Sequence, residues 1–351
     1  MRAQRVLAAA ASAAAVLVLA ACGSSQEDSP ESAVDGDDHS SESATAFPIT
    51  IEHAYGETVI EEKPERVATV AWSNHEVPLA LGVVPVGMAA ADWGDDDDNG
   101  VLPWVEDKLE ELGAETPVLF DETEGIDFEA VADTTPDVIL ASYSGLTQED
   151  YDTLSKIAPV VAYPDLAWGT SVEDMILINS LAIGLEAEGQ HLVEHLDEQV
   201  TESFEAHPAL AGKNAVFTYI DPADLSQIGF YTTHDTRPGF LNSVGMGSPA
   251  VVEAASDKTE EFYTTVSAER ADEFDDVDLF ITYGDAEGKL VKSIQADPLI
   301  GKIPAVQAGA VATLVDSTPL AAMANPSPLS IPWGIDDYFD LMSAAVEKGE
   351  S

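Results

Sequence analysis

The stretch that decides the fold is EAEGQHLVEHLDEQVTESFEAH, residues 186–207. Its large apolar residues recur every four positions and therefore lie along one face of an α-helix: Leu192, Leu196, Val200 and Phe204. Some twenty residues at about 1.5 Å each make a helix about 30 Å long. Because similar strand and helix patterns lie on both sides of it, we predict that this helix connects two lobes.

Before this helix, short β-branched runs alternate with helical stretches. The patterns predict a hairpin across residues 49–60, strands at 66–70, 83–88, 137–141 and 159–163, and helices near 76–81, from 103, at 128–132 and at 148–157. This alternation implies a largely parallel sheet with helices on both faces.

The same alternation returns after the long helix. Strands are predicted at 215–220, 228–232, 278–283 and 310–315, and a closing helix at 335–346. We therefore predict an α/β fold with two Rossmann-like lobes joined by a single long α-helix. The predicted segments are an N-terminal lobe at 47–185, the linker helix at 186–207 and a C-terminal lobe at 208–351.

The amino-terminal segment is typical of a lipoprotein signal peptide. Arg2 and Arg5 precede an apolar run that ends in Leu-Ala-Ala-Cys-Gly, a lipobox whose cysteine is Cys22. Cys22 is the only cysteine, so no disulfide can form within the chain. We predict a signal peptide at 1–22, a lipid anchor on Cys22 and a disordered acidic tether at 23–46. The alternative is an ordinary signal peptide that happens to contain a cysteine.

The chain is strongly acidic, with 14 basic and 65 acidic residues and a formal net charge of -51. This charge argues against nucleic acid and anionic lipid as partners, because both bind clustered Lys and Arg. The acidity could steer a cation toward the protein, or it could be a solvated surface suited to a salty habitat. We favour the second interpretation because acidic residues occur throughout both halves.

An ordered set of short motifs resembles a known family. These motifs are KPERV at 63–67, LALGVVPVG at 79–87, PDVILA at 136–141 and IAPV at 157–160. Together they resemble the iron-siderophore and vitamin B12 binding proteins of ABC importers. The resemblance implies an extracytoplasmic lipoprotein, without enzyme activity or cofactor, on the outer face of the cytoplasmic membrane. It would work as a monomer that captures a ferric siderophore and delivers it to the importer's membrane subunits.

The resemblance also implies two docking residues. Members of this family present one glutamate at the tip of each lobe to arginines of the importer. The motifs at 125–129 and 266–270 match, and they identify Glu129 and Glu269 as these glutamates. Carboxylates and arginine form charge-assisted, often bidentate hydrogen bonds that fix orientation. The alternative is that both are solvated surface glutamates.

Candidate ligand-binding residues follow the predicted strands. Open α/β sheets bind ligands at the carboxyl ends of their strands, and a siderophore complex needs aromatic walls and a few donors. The candidates are Trp72, Trp93, Tyr143, Trp168, Tyr231, Arg237, Tyr283, Met323, Asn325 and Trp333. Arg237 is a candidate for the oxygen atoms of a hydroxamate, catecholate or carboxylate. A surface ion pair is its alternative role, and the tryptophans could serve packing alone.

Residues 95–106 match the calcium loop of an EF-hand. The weak candidate ligands are Asp95, Asp97, Asn99 and Glu106. A strand and not a helix is predicted before Asp95, so we favour a flexible loop beside the cleft and predict no metal site.

Two further functions remain as alternatives. Haem or corrinoid binding by the same fold would use an axial ligand such as Tyr231 or His234. A secreted serine hydrolase would use Ser144, although the segment 141–145 lacks the first glycine of a nucleophile elbow. His191 and His195 are one helical turn apart without an evident third ligand, so we interpret them as surface residues of the linker helix.

Overall fold

The computed structural model describes residues 45–351. The predicted signal peptide at 1–22, the lipid site Cys22 and nearly all of the tether at 23–46 lie outside the described residues. Within 45–351, the helices are too short or too polar to cross a membrane.

The N-terminal lobe contains a hairpin and a five-stranded sheet. The hairpin pairs β1 (Ile49–His53) with β2 (Gly56–Ile60). The sheet strands are β3 (Val67–Thr69), β4 (Gly87–Ala89), β5 (Val118–Phe120), β6 (Val138–Leu140) and β7 (Val160–Val161). They are all parallel, in the order β5-β4-β3-β6-β7. The strand order reverses between β3 and β6, which makes their carboxyl ends the topological switch point.

Five helices belong to this sheet: α1 (Glu76–Ala80), α2 (Pro103–Leu112), α3 (Phe128–Asp133), α4 (Gln148–Leu154) and α5 (Val172–Ala182). Local chemistry sets their ends. Proline begins α2, where its missing N–H is not needed, and Gly113 ends it with a φ of 61°. Thr147 and Asp150 form a capping box that starts α4.

The helix predicted at 186–207 is α6 (Glu186–Ala206). Leu196 and Val200 on its apolar face are buried, and the ring of Phe204 packs edge-on against Phe339 at 5.5 Å. Gly189 lets α6 lie close to α5, because a Cβ atom there would stand only 1.9 Å from the hydroxyl of Ser180.

The C-terminal lobe contains a second five-stranded sheet. Its strands are β8 (Ala215–Tyr219), β9 (Gln227–Tyr231), β10 (Tyr263–Ser267), β11 (Leu279–Gly284) and β12 (Val311–Val315). The order is β10-β9-β8-β11-β12, and β9 runs antiparallel to both of its neighbours. The short loop between β8 and β9 explains this reversal, because a parallel crossover needs about a dozen residues or more. The second half therefore repeats the first only in part.

The helices of this lobe are α7 (Thr236–Ser243), α8 (Ala250–Ser256), α9 (Lys289–Ala296), α10 (Pro304–Ala308), α11 (Pro319–Met323) and α12 (Ser330–Gly349). Two 3₁₀ helices, Ala268–Phe274 and Ile300–Lys302, complete it. Alternate side chains of each strand point to opposite faces of the sheet, so the sheet has a hydrophobic core on each side. Phe217 and Ile281 face the core shared with α12, whereas Val216 and Phe280 face a second core on the opposite side of the sheet. The predicted α/β fold with two lobes is confirmed.

Candidate functional site

A cavity of about 240 Å³ lies between the two lobes, at the carboxyl ends of the strands. The N-terminal lobe contributes Trp72, Trp93, Tyr143 and Trp168, and the C-terminal lobe contributes Asp235, Arg237, Phe262, Ala322 and Asn325. Six of the predicted binding residues are among these. The structure therefore brings together, from distant parts of the chain, the side chains that the strand-end rule selected.

The loops at the switch point hold the tryptophans in unusual backbone conformations. Ala71 and Ser73 on either side of Trp72 have φ of 61° and 60°, and Trp168 itself has φ of 61°. Such conformations cost free energy for residues other than glycine and cluster at functional sites. The buried amide of Asn74 secures the first loop, since it donates to the carbonyl oxygens of Val70 and Tyr143.

Arg237 is held rigidly beside the cavity. Its Nε donates to the hydroxyl of Tyr283 at 3.1 Å, and its Nη1 donates to the carboxylate of Asp235 at 2.8 Å. The guanidinium lies 4.3 Å from the centre of the Tyr231 ring, within the range of a cation–π contact. Among residues 45–351, Nη2 has no hydrogen-bond partner. A preorganised cation therefore keeps donors available for a ligand oxygen.

The charge of Arg237 is secure despite its burial. Desolvation alone would lower the pKa of the guanidinium, but the neighbouring Tyr283 and Asp235 raise it well above its usual range. Asp235 also caps α7 by accepting from the backbone N–H of Arg237. The Asp235 carboxylate thus caps α7 and also neutralises the charge of Arg237. A positive charge near the amino end of a helix is otherwise unfavourable.

The floor of the cavity is a hydrogen-bond chain that joins the lobes. The side-chain amide of Asn325 donates to the hydroxyl of Tyr143 at 2.8 Å, and the hydroxyl of Thr236 donates to the amide oxygen of Asn325 at 2.5 Å. Burial raises the pKa of Tyr143, so its hydroxyl stays protonated at neutral pH. Tyr143 and Asn325 therefore line the cavity while also binding each other across it.

Tyr231 and Tyr283 form a layer behind Arg237. The ring of Tyr283 also packs edge-on against Trp93 at 5.4 Å, and the indole N–H of Trp93 donates to Asp316 at 3.3 Å. These two tyrosines are predicted site residues, and the structure places them where they orient Arg237 and Trp93. They do not line the cavity itself.

Two predicted binding residues occupy positions other than cleft loops. Met323 ends α11 and is completely buried in the shared core. Trp333 lies in the first turn of α12 and packs on Trp104 at 5.2 Å, away from the lining of the cavity. Both follow β12 as predicted, but α11 and α12 begin soon after that strand and carry these side chains into helix packing.

A second cavity, of about 360 Å³, adjoins the first in the N-terminal lobe and shares Trp72 and Trp168 with it. Its lining includes His75, Asp92, Asp121, Glu122 and Asp150, none of which was predicted from the sequence. Asp121 and Glu122 directly follow β5, so the strand-end rule would have found them if β5 had been predicted.

The remaining candidates are placed as follows. Glu129 and Glu269 are exposed, each at the second position of a helix, and within residues 45–351 neither carboxylate has a hydrogen-bond or ion-pair partner. His191 and His195 are exposed on α6. The ring of His234 lies 3.1 Å from the carbonyl oxygen of Ser256 and does not line the cavity between the lobes.

The calcium candidates form a hydrogen-bonded turn. The carboxylate of Asp95 accepts from the backbone N–H groups of Asp97 and Gly100, and the side-chain amide of Asn99 donates to Glu106. Carboxylate oxygens of Asp95, Asp96 and Asp97 lie within 4.8 Å of one another. These internal hydrogen bonds account for the order of the loop.

Ser144 lacks the environment of a nucleophile. It is completely buried, and its hydroxyl donates to the carbonyl oxygen of Ala141 at 2.7 Å. Within residues 45–351, no histidine hydrogen-bonds to it. A catalytic serine needs a base within hydrogen-bond reach.

Comparisons with known proteins agree with this architecture. PiaA of Streptococcus pneumoniae TIGR4, solved in complex with ferrichrome, is 46% identical with a TM-score of 0.82, over 86% of this chain and 99% of PiaA. The Fe(3+) dicitrate-binding periplasmic protein FecB of Escherichia coli (strain K12) is 25% identical over 284 residues, which cover 79% of this chain and 85% of FecB. The probable siderophore-binding lipoprotein YfiY of Bacillus subtilis (strain 168) is 28% identical over 164 residues, 46% of each chain. The periplasmic binding protein family model matches residues 67–318, and this chain belongs to that family.

Proposed function

We propose that this protein captures a ferric siderophore between its lobes and delivers it to an ABC importer. The observation that carries this proposal is the Arg237 guanidinium, held beside a cavity walled by Trp72, Trp93 and Trp168. Aromatic walls suit the apolar backbone of a siderophore, and a fixed cation with free donors suits the oxygen atoms around its iron. The likeness to PiaA in complex with ferrichrome supports the same ligand class.

The two adjoining cavities provide enough room for such a ligand. Their volumes are about 240 and 360 Å³, and small-molecule pockets usually span about 300–1,000 Å³. A ligand lying across Trp72 and Trp168 would occupy both.

The electrostatics favour a neutral or cationic ferric hydroxamate over a trianionic tris-catecholate. The protein carries a net charge of -51, and among residues 45–351 Arg237 is the only Lys or Arg that lines either of the two cavities. Salt screens the field over about 8–10 Å, so the repulsion of an anion would be strongest at low ionic strength. A single arginine already paired with Asp235 could not balance three ligand charges.

The alternatives have less support. Of the haem-ligand candidates, His234 lines neither of the two cavities that Trp72 and Trp168 border, and one face of the Tyr231 ring is covered by Arg237. For hydrolysis, no base among the described residues hydrogen-bonds to Ser144, and the relatives are transport proteins that bind solutes.

Delivery would use Glu129 and Glu269 as importer contacts. Both carboxylates are exposed and free of partners among the described residues, so neither must break an existing ion pair to bind an arginine. A lipid on Cys22 and an acidic tether at 23–46 would hold the binding domain near the membrane. This domain comprises the lobes at 47–185 and 208–351 and the linker helix at 186–207. The lipoprotein relative YfiY supports this anchoring.

Ligand capture is tested by quenching of tryptophan fluorescence. The purified protein is titrated with ferrichrome, a ferric tris-catecholate and haem. We expect strong quenching by ferrichrome, because the indoles line the cavity, and weak or no quenching by the other two. No change in tryptophan fluorescence with any ferric siderophore would refute the proposal, and saturable binding of haem alone would favour the haem alternative.

The role of Arg237 is tested with a variant that keeps the charge balance. Asp235→Asn with Arg237→Gln removes both ions together, so no buried charge is left unpaired. We expect the dissociation constant for ferrichrome to rise about 10- to 100-fold, as for the loss of a hydrogen bond to a charged group. Arg270→Gln removes an exposed ion pair and is the control, which should bind as the wild type does.

Docking is tested in cells that depend on this protein for iron uptake. Glu129→Ala with Glu269→Ala should leave ferrichrome binding unchanged and reduce uptake of radioactive iron. Glu253→Ala, at another exposed helical glutamate, is the control. Full uptake by the double variant would remove both glutamates from the docking surface.

A further inference from the structure

The cavity of about 360 Å³ in the N-terminal lobe has an acidic lining with no compensating cation. Asp92, Asp121, Glu122 and Asp150 line it, and no lysine or arginine of the described part of the chain does. In this cavity the negative field of the protein is reinforced by nearby carboxylates. A positively charged ligand group is the natural complement of such a lining.

Glu122 offers an unused acceptor to that group. One carboxylate oxygen accepts from the backbone N–H of Ala71 at 2.9 Å, while the other, Oε1, is buried and has no partner among residues 45–351. Burial, with the nearby charge of Asp92, raises the pKa of Glu122 to about 7. A bound cation would favour the ionised carboxylate and satisfy the buried oxygen.

His75 is the second unsatisfied group in this lining. Its side chain is buried, and its Nδ1 has no partner among the described residues. Burial lowers the pKa of His75 to about 4, so the ring is neutral at pH 7 and does not repel a cation. A buried polar atom without a partner is unfavourable, which is a reason to expect a polar ligand group here.

The rest of the lining is apolar and aromatic. Met88, Leu102, Ile126 and Leu146 would contact methylene groups, and the rings of Trp72 and Trp168 border the adjoining cavity. A tryptophan face also attracts a cation. The lining therefore matches an aliphatic chain that ends in a positive charge.

We propose that this cavity is a subsite for an aliphatic ammonium arm of the ferric siderophore, with Glu122 as its principal partner. The iron-hydroxamate core would lie across Trp72 and Trp168 beside Arg237, and the arm would extend into the N-terminal lobe. This inference rests on the proposed function and adds to it a preference for hydroxamates with a pendent amine.

The test compares two ligands that differ only in the charge of the arm. Ferrioxamine B is a linear ferric trihydroxamate with a terminal ammonium, and its N-acetyl derivative is neutral at that end. We expect the wild-type protein to bind ferrioxamine B about tenfold more tightly or better, as for a charged hydrogen bond. Glu122→Gln, which can keep the bond from Ala71, should abolish most of this preference, so that the two ligands bind the variant with similar affinity.

Controls separate this inference from the proposed function. Glu124→Gln changes an exposed neighbour and should keep the preference. If Glu122→Gln melts at a lower temperature, Asp92→Asn at the exposed edge of the cavity replaces it and should reduce the preference in the same direction. Equal affinity of wild type for both ligands, or a preference that survives both variants, overturns the subsite alone. Failure of every ferric hydroxamate to bind overturns the proposed function and the subsite together.

Discussion

Glu76 is a buried carboxyl group that joins the two lobes, and its replacement by glutamine has a calculable effect. Its Oε1 accepts from the indole N–H of Trp104 at 2.9 Å. Its Oε2 accepts from the hydroxyl of Ser327 and from the backbone N–H of Leu329, both in the C-terminal lobe. Among residues 45–351, it forms no ion pair.

Burial raises the pKa of Glu76 from 4.5 to about 7, because the hydrogen bonds offset only part of the desolvation. At about 1.4 kcal/mol per pKa unit, the shift corresponds to about 3 kcal/mol. Since the pKa is higher in the folded state, this contribution to stability is fully present below pH 4.5 and is lost as the pH rises through about 7. The glutamine of Glu76→Gln does not titrate, so the stability of the variant does not fall with pH for this reason.

The prediction concerns the difference in free energy of unfolding between Glu76→Gln and wild type, and how this difference changes with pH. An amide can accept on one side only, so Glu76→Gln costs a hydrogen bond, about 1–3 kcal/mol at every pH. As the pH rises from about 4.5 to about 8, the free energy of unfolding of the variant should increase by about 3 kcal/mol relative to that of the wild type.

Urea unfolding at both pH values, followed by tryptophan fluorescence and by circular dichroism, measures this difference. Glu188→Gln on the exposed side of α6 controls for adding a surface amide. A difference between Glu76→Gln and wild type that stays constant across this range would refute the reasoning, because it would mean that Glu76 is ionised throughout.

Three further predictions concern packing and charge. Tyr338→Phe should raise the free energy of unfolding by about 1 kcal/mol in urea titrations, because the Tyr338 hydroxyl is buried without a partner; a lower midpoint would contradict this. Gly145→Ala should weaken ferrichrome binding about tenfold or more, because the added Cβ would lie 2.2 Å from the indole nitrogen of Trp168. The control is Gly334→Ala, whose added Cβ makes only ordinary van der Waals contacts. Equal affinities of Gly145→Ala and wild type for ferrichrome would show that Trp168 can move freely. Raising NaCl from about 0.05 to about 1 M should increase the melting temperature, because salt screens the repulsion behind a net charge of -51; an unchanged temperature would mean that this repulsion does not limit stability.

Much of the fold could be predicted because its signals are local. The four-residue spacing in 186–207 predicts α6, and most strands of both sheets appear as short β-branched runs between turns. β5, β10 and α5 were not predicted from the sequence. β5 is only three residues long with Val118 exposed, and α5 is apolar on most sides, so neither has a clear period.

The candidate site was predictable where it depends on strand order. Trp72, Tyr143 and Trp168 lie in the loops that follow the parallel strands β3, β6 and β7, so the rule for open sheets brings them to one edge. The position of Trp333 could not be predicted in this way, because it depends on how the first turn of α12 packs on Trp104.

The sequence by itself determined the lobes, the connecting helix and the family, because periodicity and ordered motifs are properties of neighbouring residues. Only the tertiary structure decided which polar groups meet. Glu76 and Ser327 are distant along the chain, and the open acceptor of Glu122 depends on which backbone N–H groups approach it. The same carboxyl groups in water would be ordinary acids. Burial in a cavity or between lobes changes their pKa and their partners, and long-range packing alone sets that burial.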